Sequence, residues 1–202
     1  NKPAVAGFFR IIKMSVSPIK ISLKHVLNGP HALGSELGRK LLADLRAFVA
    51  EHPVNTVYEV SFAGIQIMDA TCARESIVSL AVIMRGKSGF VLTDIESDDI
   101  VFNINCASSA KDQPFLCISG MDLHWIGKKN TALVEEAINL IYSRSEISSA
   151  KLAKELSTSI PNASIRLKKM LTDGYILASK IQSPSGGYEY AYFPFISIKS
   201  PH

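Results

Sequence analysis

The chain has 202 residues, of which 47% are hydrophobic and 20% are charged, as in ordinary soluble globular proteins. This length allows one large domain or two small domains, each with its own core. The formal net charge of +4 permits nucleic-acid binding without requiring it, and no apolar run reaches the ~18 residues of a membrane span.

The first part of the chain alternates between strand and helix patterns. The β-branched and alternating segments that predict strands are residues 19–26, 54–62, 90–95 and 114–120. Helical spacing of apolar residues is found over residues 35–50 and 70–85, with Asp69 as the N-cap of the second helix, while residues 97–110 are expected to form a short helix followed by a loop. This order predicts an α/β domain with a mixed sheet and helices packed against it.

A short polar stretch near residues 127–130 separates this region from the remainder and is taken as the domain boundary. The predicted organisation is an N-terminal extension (1–18), an α/β domain (19–127) and a C-terminal domain (128–202). Residues 149–202 contain seven Lys or Arg and three Asp or Glu, so their net charge is +4. The basic excess is therefore concentrated at the C-terminal end.

The C-terminal region predicts three helices and a hairpin. Helical patterns cover residues 131–146 and 149–156, and a third helix begins near Pro161, which is tolerated in a first turn because its missing N–H would be unpaired there. Gly174 is expected to end that helix. Two strands, residues 175–182 and 188–195, flank a Ser/Pro/Gly tip at residues 183–187.

This layout resembles the winged helix-turn-helix family over residues 131–195, on the segments KLAKEL (151–156), PNASIRL (161–167), LKKM (167–170) and DGYI (173–176). The resemblance implies that Asn162, Ser164, Arg166 and Lys169 face the major groove of duplex DNA or its phosphates. It further implies that Lys180 on the hairpin reaches a phosphate or the minor groove. Asn and Arg can pair bidentately with base edges, which agrees with this expectation. The alternative is a winged helix used for protein contacts or dimerisation.

The segments FAGI (62–65) and MDATCARE (68–75), with the preceding helix, resemble STAS domains, the fold of bacterial anti-sigma-factor antagonists, and a related STAS-like family. In the antagonists an Asp directly precedes a phosphorylatable Ser, whereas here Ala70 follows Asp69. Ser61 also stands where the STAS-like family carries an acidic residue. The resemblance makes Thr71 the candidate for phosphorylation, and the alternative is that Thr71 assists helix capping.

Enzymatic and metal-binding motifs were not found in the sequence. His25, His31, His52 and His124 are scattered along the chain. The cysteines Cys72, Cys106 and Cys117 show neither zinc-binding nor disulfide spacing. We therefore expect reduced thiols in a cytoplasmic protein. No cofactor, no catalytic residue and no membrane partner is predicted.

The sequence thus predicts an α/β STAS-like mixed sheet with helices, followed by an α+β winged helix. The expected function is a bacterial-type transcriptional regulator in which the STAS-like domain senses a protein partner or forms a homodimer and the winged helix binds duplex DNA. The alternative is a partner-switching module, similar to anti-sigma-factor antagonists, that makes protein contacts without binding DNA.

Overall fold

The protein is described by a computed structural model, which covers residues 10–12, 18–120, 122–182 and 186–199. Side chains are described for residues 18–120, 122–182 and 186–196. Among the residues that the structure describes, no helix is both long and apolar enough to cross a lipid bilayer.

The strands are, in chain order, β1 (Arg10–Ile12), β2 (Ile19–Ser22), β3 (His31–Ala32), β4 (Thr56–Ser61), β5 (Ile67–Met68), β6 (Ser88–Thr93), β7 (Phe115–Ser119), β8 (Asp122–Ile126), β9 (Leu177–Gln182), β10 (Tyr188–Phe193) and β11 (Ser197–Lys199). The α-helices are α1 (Leu23–Leu27), α2 (Gly34–Ala50), α3 (Ala70–Ala73), α4 (Ser79–Ile83), α5 (Asp98–Ser109), α6 (Ala132–Tyr142), α7 (Ser149–Glu155) and α8 (Ile160–Asp173). A π-helical stretch, Arg74–Val78, joins α3 to α4.

The central sheet has the strand order β2-β4-β6-β7-β8. The first four strands are parallel, and β8 joins the edge antiparallel to β7. The prediction of a mixed α/β protein is therefore confirmed, with a sheet that is mostly parallel. Smaller antiparallel pairs are formed by β9 with β10 and by β1 with β11.

One face of the central sheet is covered by helices α2 to α5. Parallel strands that follow one another in order are joined by right-handed crossovers, which place the connecting helices on the same face. Side chains such as Tyr58, Phe90 and Leu92 on this face pack with Leu41 and Leu45 of α2 in one buried cluster. This cluster is the larger core of the protein.

The opposite face of the sheet is covered by the C-terminal region. Val57, Val91 and Leu116 alternate with the residues of the first core, as the two-residue period of a strand requires. They belong to a second buried cluster together with C-terminal side chains, among them Tyr142 and Phe195. The sheet is consequently buried on both faces, while the domain boundary near residue 127 stays a prediction.

Several predicted elements differ from the structure. The strand expected over residues 19–26 ends at Ser22, because a helical turn follows and closes at Asn28, whose φ of 53° is left-handed. Residues 97–110 form a full helix, α5, with Asp98 and Asp99 in its first turn where the helix dipole favours negative charge. The fifth sheet strand, β8, was not predicted.

Candidate nucleic-acid interface

Helices α7 and α8 are short and are joined by a tight turn, as the sequence predicts. The hydroxyl oxygens of Ser148 and Ser159 cap them, accepting hydrogen bonds from the backbone N–H groups of Lys151 and Asn162 at 3.3 Å each. Pro161 lies in the first turn of α8. At the turn, Ser157 has a left-handed φ of 49°. Local sequence signals therefore determine where both helices begin.

The end of α8 is fixed by Gly174, whose φ of 89° is left-handed and favours glycine. Its N–H group donates to the backbone oxygens of Met170 and Leu171, and the N–H of Tyr175 also donates to Met170. The prediction that Gly174 ends this helix is confirmed. The chain then enters β9 at Leu177.

The buried contacts between these helices involve small and aliphatic side chains. Ala153 of α7 and Ala163 of α8 are buried at 4% and 0% exposure, which allows close approach of the two helices. Leu152, Leu167 and Met170 are also buried. In α6, which begins at Ala132, Leu133 is 61% exposed, whereas Ala137, Ile138 and Ile141 are buried.

A short bridge ties the helices to the β9–β10 hairpin. Ile147, which directly precedes the cap of α7, exchanges two backbone hydrogen bonds with Tyr192 of β10, with N···O distances of 2.8 and 2.9 Å. The hairpin thereby gains a third extended segment at its base. This bridge was not predicted, because a single extended residue leaves no periodic signal. The predicted tip at residues 183–185 lies outside the described residues.

The predicted contact residues of α8 do not share one face. Successive helix residues are about 100° apart, so Asn162, Arg166 and Lys169 lie on one flank of α8. Ser164 is about 160° from Arg166 around the axis, on the other flank, and is half-buried. The structure therefore groups three of the four residues and separates Ser164 from them.

The most exposed side of α8 includes residues that were not nominated. Lys168 and Thr172 are exposed, and Ile165 is 66% exposed, directly opposite the buried Ala163 and Leu167. The helical period counted from Ala163 and Leu167 would have identified this side from the sequence. Lys168 lies beside Ser164 and about 160° from Arg166 around the axis, so Lys168 and Arg166 are on opposite flanks of this exposed side.

Acidic side chains interrupt the basic surface. Asp173 lies 3.1 Å from the Nζ atom of Lys169 and 2.9 Å from that of Lys128. Burial alone would raise the pKa of the Asp173 carboxyl, but hydrogen bonds from the two lysines outweigh it and lower the pKa below its usual range. Part of the positive charge at Lys169 is thus already neutralised within the protein.

The hairpin presents a separate cationic and aromatic surface. The ammonium of Lys180 lies 4.4 Å from the centroid of the Tyr188 ring, a cation–π contact. Lys180 pairs across the strands with Tyr190, which is 52% exposed, and Tyr188 is 72% exposed. Lys180 is therefore fixed at an exposed aromatic face of the hairpin, whereas the other nominated residues lie on α8.

Thr71 lies in the first turn of α3 and is half-buried. The cap of this helix is Asp69, as predicted, and not Thr71. The Oδ1 atom of Asp69 accepts a hydrogen bond from the N–H of Cys72 at 2.6 Å, and its Oδ2 atom accepts one from Gly34 at 2.8 Å. The phosphorylation of Thr71 stays a prediction.

In the described part of the chain, no group of three or more His, Cys, Asp or Glu side chains lies close enough together to hold a metal ion. Burial, together with the nearby Asp69 carboxylate, raises the pKa of the Cys72 thiol to about 11. Cys72 therefore behaves as a buried packing residue at neutral pH.

No protein-family model matches the chain, and no curated protein matches it.

Proposed function

We propose that the C-terminal region is a winged helix that binds duplex DNA, and that the chain is a cytoplasmic transcriptional regulator. The observation that carries this proposal is the element order α6, Ile147 bridge, α7, α8, β9 and β10. In a winged helix-turn-helix, the second helix of the turn enters the major groove and the hairpin lies beside it. Helix α8 is the second helix of the pair, and the β9–β10 hairpin follows it in the chain.

The side-chain chemistry of α8 supports contact with DNA. Arg166 and Asn162 carry groups that pair bidentately with base edges, whereas Lys168 carries a point charge suited to a phosphate. Lys180 and the tyrosines of the hairpin add a second contact surface at a different position in the chain. Binding through both surfaces would release counterions and would weaken steeply as salt rises.

A polarisation titration of labelled duplexes tests this proposal. Genomic fragments and a random duplex would be titrated with the full chain at several salt concentrations. Lys168→Ala is expected to weaken binding to every duplex and to reduce the salt slope by about 1, as loss of one phosphate contact does. Arg166→Ala is expected to reduce the ratio of specific to random affinity.

Lys40→Ala is the matched control, because Lys40 is an exposed lysine on α2, outside the C-terminal region. Its duplex affinity should equal that of the unchanged chain. Absence of duplex binding at low salt, or an equal loss in Lys40→Ala and Lys168→Ala, contradicts the proposal.

A second candidate function is a partner-switching module that makes only protein contacts. Two exposed apolar side chains on α8 favour this second function, since Ile165 and Ile160 are 66% and 56% exposed. An exposed apolar side chain on this helix suits a protein groove better than a phosphate backbone. Ile165→Ser would weaken capture of a protein partner while leaving duplex affinity nearly unchanged under this second function.

The α/β region is proposed to be STAS-like and to serve as the sensing or dimerising part. The parallel strand order and the helices on one face support this proposal. Phosphorylation at Thr71 is part of it. Incubation with a cognate kinase and mass spectrometry would detect the phosphate, and an unmodified Thr71 would remove this part of the proposal.

A further inference from the structure

A cavity of about 540 Å³ lies against the parallel strands β4, β6 and β7 and extends to the carboxyl ends of β6 and β7. It is on the sheet face that the C-terminal region covers, and Ile196 forms part of its wall. In open α/β sheets, ligands bind in the crevice beyond the carboxyl ends of the strands. The volume falls within the range of about 300–1,000 Å³ that is common for small-molecule sites.

Part of the cavity wall is apolar. Its apolar residues include Val57, Val91 and Ile118 from the three strands, together with Ile196. Val91 and Ile196 are only 2% and 4% exposed. An apolar group of a ligand would gain free energy by leaving water to pack against this part of the wall.

The cavity wall also carries three carboxylates. They belong to Glu59 on β4, Asp94 directly after β6, and Glu96. Lys20 lies 3.4 Å from Glu59 and 3.7 Å from Asp94, so one ammonium pairs with two of the three carboxylates. The charge of these four side chains is therefore negative in sum.

The carboxylates of Glu59 and Asp94 also accept hydrogen bonds within the protein. The hydroxyl of Thr93 lies 3.1 Å from Glu59 Oε1 and 3.3 Å from Asp94 Oδ2, and Ser61 donates to Asp94 at 2.5 Å. The side chains of Glu59 and Asp94 nevertheless remain 29% and 42% exposed, so a charged group in the cavity can reach them.

We infer that this cavity binds a small organic cation, an ammonium or amidinium group carried on an apolar body. The cationic end would donate to Glu59 and Asp94, and the apolar body would pack against Val91, Ile118 and Ile196. Charge-assisted hydrogen bonds of this kind are stronger than neutral ones. An anion of the same size would meet the carboxylates and is excluded by their charge.

The cavity also links the two parts of the protein. Ile196 follows Phe195, whose ring packs on Gly89 of β6, so a ligand in the cavity contacts both the sheet and the segment that leaves the hairpin. Such a ligand would act as an effector of the C-terminal region. This last step rests on the proposed DNA-binding function, whereas binding of the cation itself does not.

Isothermal titration of the full chain with tryptamine, tryptophol and indole-3-acetate tests the inference, because these probes share an apolar body and differ in charge. Tryptamine is expected to bind with saturation, tryptophol to bind about tenfold more weakly, and indole-3-acetate not to bind up to about 10 mM. Glu59→Gln should weaken tryptamine binding by about tenfold and should change tryptophol binding by less than about twofold.

Glu96→Gln, at an exposed position of the cavity rim, serves as a second variant should Glu59→Gln fail to fold, and it should weaken tryptamine in the same direction. Glu51→Gln is the matched control, since Glu51 is an exposed carboxylate at the end of α2. Equal affinity for all three probes, an equal loss in Glu51→Gln, or no saturable binding of tryptamine would overturn the inference. Each of these readings is made without DNA, so it is independent of duplex binding.

Discussion

The ring of Phe195 lies directly against the backbone of Gly89 in the central sheet. A Cβ atom placed on Gly89 would come within 2.5 Å of the Cδ1 atom of that ring. Phe195 is 4% exposed and belongs to the cluster that joins the C-terminal region to the sheet. The absence of a side chain at residue 89 is therefore what permits the two parts of the protein to pack so closely.

Gly89→Ala should destabilise the protein by about 1–3 kcal/mol, because the added methyl group overpacks a filled contact. Thermal or urea unfolding would measure the change. Phe195→Ala should cost about 3–5 kcal/mol by leaving a cavity. In the double variant the two losses should be less than additive, since the methyl group then enters the space that the ring leaves. Strict additivity would show that the two positions are not in contact.

Asp173→Asn should change the pH dependence of stability in acid. The pKa of Asp173 is lowered in the folded state from its ordinary 3.8, so its contribution is fully present above that value and is lost as pH falls through the lower folded-state pKa. Urea unfolding between neutral pH and strong acid would show that the free energy of unfolding falls less in Asp173→Asn than in the unchanged chain. Asp122→Asn is a control at an exposed carboxyl, and its profile should follow that of the unchanged chain.

The flanks of α8 should differ in their effect on duplex binding. Ser164→Ala is expected to leave affinity within about twofold, because Ser164 carries no charge and lies about 160° from Arg166 around the helix. Asp173→Asn is expected to tighten binding by about threefold, or roughly 0.6 kcal/mol, because it releases Lys169 and Lys128 from their acidic partner. Polarisation titrations at fixed salt would measure both changes. Tighter binding in Ser164→Ala than in Asp173→Asn would contradict the placement of the contact flank.

Asp69→Ala should destabilise the α/β region by about 2 kcal/mol, because it removes a helix cap and leaves two backbone N–H groups without their acceptor. The N–H groups are those of Cys72 and Gly34. Chemical denaturation followed by circular dichroism would measure the loss. Asp44→Ala, at an exposed position within α2, should change stability by less than about 0.5 kcal/mol. A loss in Asp44→Ala as large as that in Asp69→Ala would argue against the capping role.

The sequence predicts best those features that depend on neighbouring residues. Pro161 and Gly174 are local signals, and each is found where it was predicted, Pro161 in the first turn of α8 and the left-handed Gly174 at its end. Helix α5 was underestimated, because its buried residues, such as Ile100 and Ile104, are interspersed with polar ones and give a weak periodic pattern. Burial of a helix face depends on the surface that it meets.

Features that depend on distant residues were not predicted. Strand β8 alternates between the two clusters, with Ile126 in one and Trp125 in the other, and its five residues are too few to give a clear periodic pattern. The bridge between Ile147 and Tyr192 and the pairing of Asp173 with Lys128 join residues far apart in the chain. No local pattern in the sequence indicates these long-range contacts. The sequence alone therefore overestimates the positive charge of the candidate interface.

The row of Val57, Val91 and Leu116 has a consequence for any shortened form of the protein. A chain that stops before α6 would retain the helices on one side of its sheet but would leave this apolar row in contact with water. Large exposed apolar surfaces promote association between molecules. A fragment of residues 18–127 should therefore self-associate or require detergent, and light scattering of the fragment beside the full chain would measure how strongly the C-terminal region keeps the protein dispersed.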